Sequence, residues 1–231
     1  MLKSFFEPKS VAIIGVSKDF NKIGGKTLRF FLEHGYGGEI FPVTPKYEEI
    51  AGLQCYPDIG EAPPGVDLAL IMIAAEGVLD CLNACRERGV KAAIIFSSGF
   101  SEMGSEGIRR QEALRAFVTE SGMLVCGPNC QGMVNVEKGI TATFSNSVDR
   151  SHLISGNIGL ITQSGAYGGA IFNAAQEKNM GISYWVSTGN EVGLTAVDFM
   201  DFMVRDSKTQ VIACYLEGLR DVNKFDGVAK K

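Results

Sequence analysis

The chain has 231 residues, of which 45% are hydrophobic and 21% are charged, and its formal net charge at neutral pH is −4. This composition is typical of a soluble globular protein with one large or two small domains, and it lacks the basic excess of nucleic-acid-binding proteins. No apolar run approaches the roughly 18 residues that a membrane span needs, and the N-terminus has no signal-peptide core. We therefore expect a cytoplasmic protein without nucleic-acid or membrane partners.

The six cysteines favour the same compartment. Cys81 and Cys85 lie four residues apart in a helical pattern, and Cys126 and Cys130 flank a strand end. Zinc sites usually show C-x2-C spacing, and no histidine lies near either pair. The pattern predicts reduced core cysteines and no metal.

Strands and helices alternate in the first part of the chain. Most of the predicted strands are continuous apolar runs, which is typical of parallel strands buried on both faces. Alternation of this kind predicts an α/β fold with a doubly wound parallel sheet, and we expect the strand order 3-2-1-4-5. The predicted strands are Val11–Gly15, Glu39–Val43, Leu68–Ile73, Ala92–Ser97 and Met123–Cys126, and the helices between them are Gly24–Glu33, Glu76–Arg88 and Ser105–Glu120.

The stretch from 131 to 155 is rich in Asn, Thr, Ser and Gly, and we interpret it as a crossing segment between domains 1–130 and 156–231. Alternation then resumes, with only three further strands. Because a three-stranded sheet has bare edges and a thin core, we expect an incomplete domain from a longer polypeptide, with a possible homodimer. The strands are Ile158–Thr162, Ile182–Val186 and Gln210–Leu216, and the helices are Ala166–Lys178, Leu194–Arg205 and Val222–Lys231.

Two glycine-rich turns each connect a strand to a helix. The first follows Ile14-Gly15-Val16-Ser17, and the second is Gln163-Ser164-Gly165-Ala166. Unpaired backbone N–H groups and the helix dipole favour an anion at such turns. The pattern indicates a phosphorylated cofactor together with a phosphoryl group or an acyl phosphate.

The end of the second strand narrows the choice of cofactor. An NAD site has a carboxylate there to bind the ribose diol, whereas this chain has Thr44 and Lys46. A threonine and a lysine suit a phosphate on the ribose instead. NADP and coenzyme A (CoA), whose adenosine carries a 3′-phosphate, both remain open on this ground.

Eight phrases that appear in order give the chain a family resemblance: SVAIIGVS, GEIFPVTPK, PGVDLALIMI, GVKAAIIFSSGF, GPNCQG, GNIGLITQSGA, STGNE and YLEGLRD. The chain resembles the α part of NDP-forming acyl-CoA synthetases, which are related to succinyl-CoA synthetase. The resemblance implies a Rossmann-like CoA-binding domain followed by a flavodoxin-like domain. It also implies a ligase that converts acid, CoA and ATP to acyl-CoA, ADP and phosphate through acyl phosphate and phosphohistidine.

The resemblance also implies roles for individual residues. Ser164, Gly165 and Ala166 would hold phosphate or the acyl phosphate, and Glu217 would hydrogen-bond the phosphohistidine. Asn129 would lie near the end of the CoA thiol, beside Cys130, which has no basic partner in sequence that would make it a nucleophile. The expected CoA-binding residues are Gly15, Val16, Ser17, Lys18, Thr44, Lys46, Ser97, Ser98, Gly99, Asn129 and Cys130.

The family's phosphohistidine lies downstream of Glu217, and neither His34 nor His152 replaces it. The ATP-grasp part, through which ATP, ADP and Mg would act, is also expected in the same or another chain. We therefore expect CoA binding without turnover by this chain alone. The run Tyr167-Gly168-Gly169 argues against succinate as the acid. Two alternatives remain: a non-catalytic CoA sensor linked to an acetyltransferase, and an NADP-dependent oxidoreductase domain.

Overall fold

A computed structural model describes residues 2–231. The first half of the chain begins with a single helical turn and continues as alternating strands and helices, with one short hairpin. The elements are α1 (Lys3–Phe6), β1 (Ser10–Ile14), α2 (Ile23–Glu33), β2 (Glu39–Val43), β3 (Glu49–Ile50), β4 (Leu53–Gln54), β5 (Leu68–Ile71), α3 (Val78–Glu87), β6 (Ala92–Ile95), α4 (Ser105–Ser121) and β7 (Leu124–Cys126).

The first sheet is parallel and five-stranded, in the order β2-β1-β5-β6-β7. In chain order of its five strands this is 2-1-3-4-5, so the expected order 3-2-1-4-5 is wrong. The expected order would place β2 inside the sheet, but β2 contains Pro42, which has no N–H for a second ladder. β2 therefore lies at the edge, and the strand order reverses between β1 and β5.

The second half of the chain begins with two strands inside the segment interpreted as a crossing. They are followed by the predicted alternation of strands and helices. The elements are β8 (Gly132–Asn135), β9 (Ile140–Thr143), β10 (Ser155–Thr162), α5 (Gly165–Glu177), β11 (Ile182–Ser187), α6 (Ala196–Arg205), β12 (Val211–Tyr215) and α7 (Val222–Ala229).

The second sheet is mixed and also five-stranded, in the order β12-β10-β11-β8-β9. β10, β11 and β12 are parallel, whereas β8 runs antiparallel to β11 and β9 antiparallel to β8. The three-strand count was wrong because β8 and β9 carry fully or nearly fully buried polar side chains such as Asn135, Thr141 and Thr143 in place of an apolar run. The buried amide of Asn135 donates to the Phe6 carbonyl at 3.0 Å. The domain limits 1–130, 131–155 and 156–231 stay a prediction.

Both sheets share a continuous apolar core. Phe5 and Phe6 of α1 are fully buried, and the Phe6 ring stacks on that of Phe202 in α6 with centroids 4.3 Å apart. Phe30 of α2 packs in a cluster with Trp185 of β11. Because α1 and α2 contact both halves of the chain, the carboxyl ends of the two parallel strand sets are held at a common cleft. Within residues 2–231, no helix combines the length and apolarity that crossing a bilayer requires.

Candidate functional site: a cleft between two sheet edges

The turn after β1 lies close to the backbone that follows β5. Gly15 has a φ of +89°, and a side-chain carbon at that position would lie 2.5 Å from the carbonyl oxygen of Met72. This turn sits between β1 and β5, where the strand order reverses. In open α/β sheets, that crevice is where ligands bind. Val16 is buried there, and the Ser17 hydroxyl accepts from the backbone N–H of Asp19 at 3.1 Å.

Two cations border the turn that follows β2. The Lys18 ammonium lies 5.0 Å from the centroid of the Tyr47 ring. Lys46, which directly precedes Tyr47 in the chain, is exposed. Thr44 is buried, and its hydroxyl accepts from the N–H of Lys46 at 3.4 Å. The threonine hydroxyl thus helps to fix the turn, while Lys46 is free to reach a ligand.

A cleft of about 430 Å³ lies between the carboxyl ends of the two sheets. Seven of the predicted site residues line it, and they come from loops after four different strands. Glu217 is the only charged residue in its lining. The predicted residues in the lining are Ser98, Asn129, Cys130, Ser164, Gly165, Ala166 and Glu217, and the others are Ile23, Phe96, Gln131, Phe144, Gln163, Gly189 and Asn190.

The start of α5 supplies the anion-binding feature of this cleft. Ser164 is the N-cap, and its hydroxyl accepts from the N–H of Tyr167 at 3.5 Å. The first N–H groups of an α-helix have no intrahelical acceptor, and here they belong to Gly165 and Ala166, which line the cleft. Since no cation lines the cleft, an anion inside it would be held by these backbone groups and the dipole of a 13-residue helix.

The remaining predicted residues do not line the cleft. The Ser97 hydroxyl donates to the Ile73 carbonyl at 2.6 Å, and the N–H of Gly99 donates to the Glu102 carboxylate at 2.7 Å. Both therefore hold the loop after β6 in shape. Gly15, Val16, Ser17, Lys18, Thr44 and Lys46 lie along the edge of the first sheet, outside the cleft lining.

Cys130 lies in the wall of the cleft and is only 3% exposed. Its thiol donates to the carbonyl of Ile95 at 3.4 Å. The nearby Cys130 thiol, and after it burial, raises the pKa of the Cys126 thiol. A buried thiol with a carbonyl partner resembles a core cysteine, and among the described residues nothing basic is bonded to it. No three His, Cys, Asp or Glu side chains of residues 2–231 converge as metal ligands.

The loop Thr188–Glu191 joins the two sheet edges, and none of its residues was among the predicted site residues. Asn190 donates from its amide to Gln111 of α4 and to Glu102, both at 2.8 Å. Burial opposes ionisation of Glu102, but hydrogen bonds from Asn190 and from backbone N–H groups lower its pKa overall. The phrase STGNE contains this loop, yet nothing in its spacing indicated that it bridges the sheets.

The N-terminus of α2 at Ile23 lines the cleft and links it to the Gly15 turn. The end of β2 presents a threonine and a lysine in place of the carboxylate that would bind an NAD ribose diol.

Comparisons with known proteins find two families that match successive parts of the chain. The CoA binding domain family matches residues 9–135, and the succinyl-CoA ligase like flavodoxin domain matches residues 155–231. The chain is 36% identical over its full length to the acetate–CoA ligase (ADP-forming) II subunit alpha of Pyrococcus furiosus, covering 49% of that protein. It is 36% identical over 97% of its length to trans-feruloyl-CoA synthase FCS1 of an unknown prokaryotic organism, covering 32% of it.

Among solved structures, acetyl-coenzyme A synthetase 1 (dinucleotide forming) of Ca. Korarchaeum cryptofilum superposes with a TM-score of 0.92. It is 38% identical to this chain, which is covered to 99% and spans 49% of the synthetase chain. The chain thus spans a third to a half of the length of these relatives. The α/β fold and the two domain types implied by the resemblance are confirmed: the chain belongs to the CoA-binding domain family and carries a succinyl-CoA ligase-like flavodoxin domain behind it.

Proposed function

We propose that this chain is the CoA-binding and phosphate-holding portion of an NDP-forming acyl-CoA synthetase. In that reaction, acid, CoA and ATP give acyl-CoA, ADP and phosphate. The relatives named above are CoA ligases or synthetases, and the chain aligns with 49% of the Pyrococcus subunit alpha and with 32% of the trans-feruloyl-CoA synthase. The ATP-grasp part, with its ATP and Mg, would act from the same or another polypeptide.

One observation carries the proposal: loops from both parallel strand sets line a single cleft. Ser98 and Asn129 come from the first sheet, and Ser164 and Glu217 come from the second. Acyl transfer between phosphate and a thiol requires both ends of this arrangement. The thiol must reach the acyl carbon while the phosphate is held in place. Because both groups lie in one cleft, the acyl phosphate does not have to move to a second site.

The residues of the chain would divide the work as follows. The Gly15 turn and the cations Lys18 and Lys46 bind the CoA nucleotide, and the cleft admits its thiol end. The N–H groups at the start of α5 bind the phosphate of the acyl phosphate and stabilise the negative charge that it keeps as the thioester forms. Glu217, exposed at the mouth of the cleft, accepts a hydrogen bond from an incoming imidazole and favours its charged form.

Calorimetric titration of the purified chain tests the CoA site. CoA should bind, and dephospho-CoA, which lacks the 3′-phosphate, should bind at least tenfold more weakly. NADPH serves as the competing ligand, because an NADP-dependent oxidoreductase would bind it in preference to CoA. Tighter binding of NADPH than of CoA would contradict the proposal.

The complete reaction tests the division of labour between parts. The chain with acid, ATP and CoA should form no acyl-CoA, and addition of both the phosphohistidine segment and the ATP-grasp part of a relative should give activity. Acyl-CoA formation by the chain alone would contradict this division. A CoA sensor would bind CoA equally well but gain no activity when both the phosphohistidine segment and the ATP-grasp part are added. The exclusion of succinate as the acid and the homodimer both stay predictions, and light scattering would test the homodimer.

A further inference from the structure

Gln163 is joined through its side-chain amide to the turn that carries Glu217. Its carbonyl oxygen accepts from the backbone N–H groups of Glu217, at 2.5 Å, and Gly218, at 3.0 Å. Its amide nitrogen donates to the carbonyl of Gly218 at 2.7 Å. One side chain thereby holds three backbone groups of a turn that is otherwise exposed.

Glu191 fixes the orientation of that amide. The Glu191 carboxylate accepts from the Gln163 amide at 3.2 Å, so the nitrogen of the amide must face Glu191 and its oxygen must face Glu217. The opposite orientation would place the amide nitrogen against two N–H donors. Glu191 is itself 4% exposed and is held by the Thr188 hydroxyl at 2.8 Å and the N–H of Ala196 at 3.0 Å.

Arg220 closes the network from the far side of the turn. Its guanidinium donates to the Asn190 carbonyl at 2.7 Å and lies 3.7 Å from the Glu191 carboxylate. A buried carboxylate is stable only where it is paired and hydrogen-bonded, and Glu191 meets both conditions. Glu191 also adopts a left-handed backbone conformation, with a φ of 55°, which few glutamates adopt. The surrounding contacts therefore hold it in a conformation that its own backbone disfavours.

We infer that Gln163 and Glu191 are positioning residues that hold the Glu217 carboxylate at the mouth of the cleft. Gln163 acts on the backbone of the turn, and Glu191 acts through Gln163. The functional part of this inference rests on the role proposed for Glu217, whereas the backbone contacts can be tested without it.

Hydrogen exchange tests the backbone contacts. Because Glu217 and Gly218 are exposed, their amides depend on the Gln163 oxygen for protection. Gln163→Leu should lower the protection of both amides at least tenfold by NMR. The control Gln210→Leu makes the same change at the opposite end of β12, where Gln210 accepts from Asn157 at 2.7 Å, and should leave both amides unchanged.

A pH profile separates this specific role from a general loss of packing. In Gln163→Glu, a protonated carboxyl can still accept from the N–H groups of the turn and can donate its single O–H to Glu191. When ionised, it faces the carboxylate of Glu191, with Glu217 nearby and Arg220 as the closest cation, so its pKa should rise. Protection of Gly218 should therefore be near normal at low pH and fall as pH increases through that raised pKa. Adding Glu191→Gln should remove most of the pH dependence.

Kinetics in the ligase assembled with the phosphohistidine segment and the ATP-grasp part of a relative test the link to Glu217. Gln163→Leu should lower kcat at least tenfold with little change in KM for CoA. In a Glu217→Gln background it should have little further effect, because the carboxylate that it positions is already gone. Unchanged amide protection in Gln163→Leu, or equal kinetic effects in both backgrounds, would overturn the inference. An inactive wild-type assembly would instead count against the proposed function, and the exchange experiment would still decide the backbone contacts.

Discussion

Substituting Gly24 by alanine should weaken CoA binding and destabilise the chain. Gly24 lies in the first turn of α2, where an added side-chain carbon would be 2.4 Å from the carbonyl oxygen of Gly15 and 3.0 Å from the α-carbon of Val16. Ordinary contact begins at 3.4 Å, so α2 and the turn must separate by about 1.0 Å, the difference between 3.4 and 2.4 Å. Overpacking of this kind costs about 1–3 kcal/mol, only partly offset by the better helix propensity of alanine, which is worth up to about 1 kcal/mol.

The same displacement acts on the ligand. A shift of about 1 Å stretches a hydrogen bond from the turn to a phosphate beyond its useful range, and each charge-assisted bond contributes about 1.5–3 kcal/mol. CoA affinity should therefore fall by about 10- to 150-fold for each such bond that is lost.

Gly227→Ala is the matched control for this experiment. Gly227 lies in α7, and nothing is within 4 Å of a side-chain carbon built there. Its substitution should raise the free energy of unfolding by about 0.5–1 kcal/mol and leave CoA binding unchanged. Urea denaturation and calorimetric titration measure both quantities. If Gly24→Ala stabilised the chain as Gly227→Ala does and kept full CoA affinity, the close approach of α2 to the turn would have no role in binding.

Two further substitutions test other parts of the structure. Lys46→Glu should weaken CoA binding at least tenfold and reduce the salt dependence of that binding. The control Lys178→Glu changes another exposed lysine, just beyond the end of α5, and should have neither effect. Equal CoA affinity in both variants would remove Lys46 from the site. Asp198 of α6 is half-buried, and burial alone would raise its pKa, but hydrogen bonds from Lys224 and Thr195 more than offset burial and lower the pKa. Its contribution to stability should thus be complete above about pH 4, the ordinary pKa of an aspartate, and be lost as pH falls through the lower folded-state value. Asp198→Asn should destabilise the chain by about 1–2 kcal/mol at pH 7, and its difference from the wild type should shrink in acid denaturation profiles; a difference independent of pH would contradict that origin.

The apolar strands were predictable because burial on both faces leaves a continuous hydrophobic run. β2 matches its predicted range of Glu39–Val43, and the others differ by at most three residues at either end. The strand order was also readable in principle, since Pro42 disfavours an interior position for β2. The hairpin β8–β9 was not, because buried polar side chains interrupt its apolar pattern, and the side-chain amide of Asn135 finds its acceptor, the Phe6 carbonyl, in a distant part of the sequence.

The candidate site likewise contains residues that the sequence predicts and residues that it does not. Residues that directly follow a strand, such as Ser98, Ser164 and Glu217, can be located from sequence, because the carboxyl ends of parallel strands share one edge. Glu191 could not be located in this way. Its importance depends on a left-handed backbone and on partners from three other parts of the chain.

The shared core explains why a cleft between two sheets can be a precise site. A ligand that contacts both edges gains affinity only if their separation is fixed before binding, since ordering two mobile units costs binding free energy. Here α2 is fixed to both halves. Phe30 packs beside Trp185, and Arg29 donates two hydrogen bonds to Asp149, at 3.0 and 2.8 Å. Since the same helix begins against the Gly15 turn, where we propose that CoA binds, occupancy of that turn and the width of the cleft should be linked mechanically. Arg29→Met, which keeps the apolar stem but removes both bonds, should therefore weaken CoA binding although position 29 lies outside the cleft lining. Unaltered CoA affinity in this variant would show that the apolar contacts of Phe30 alone set the separation of the two edges.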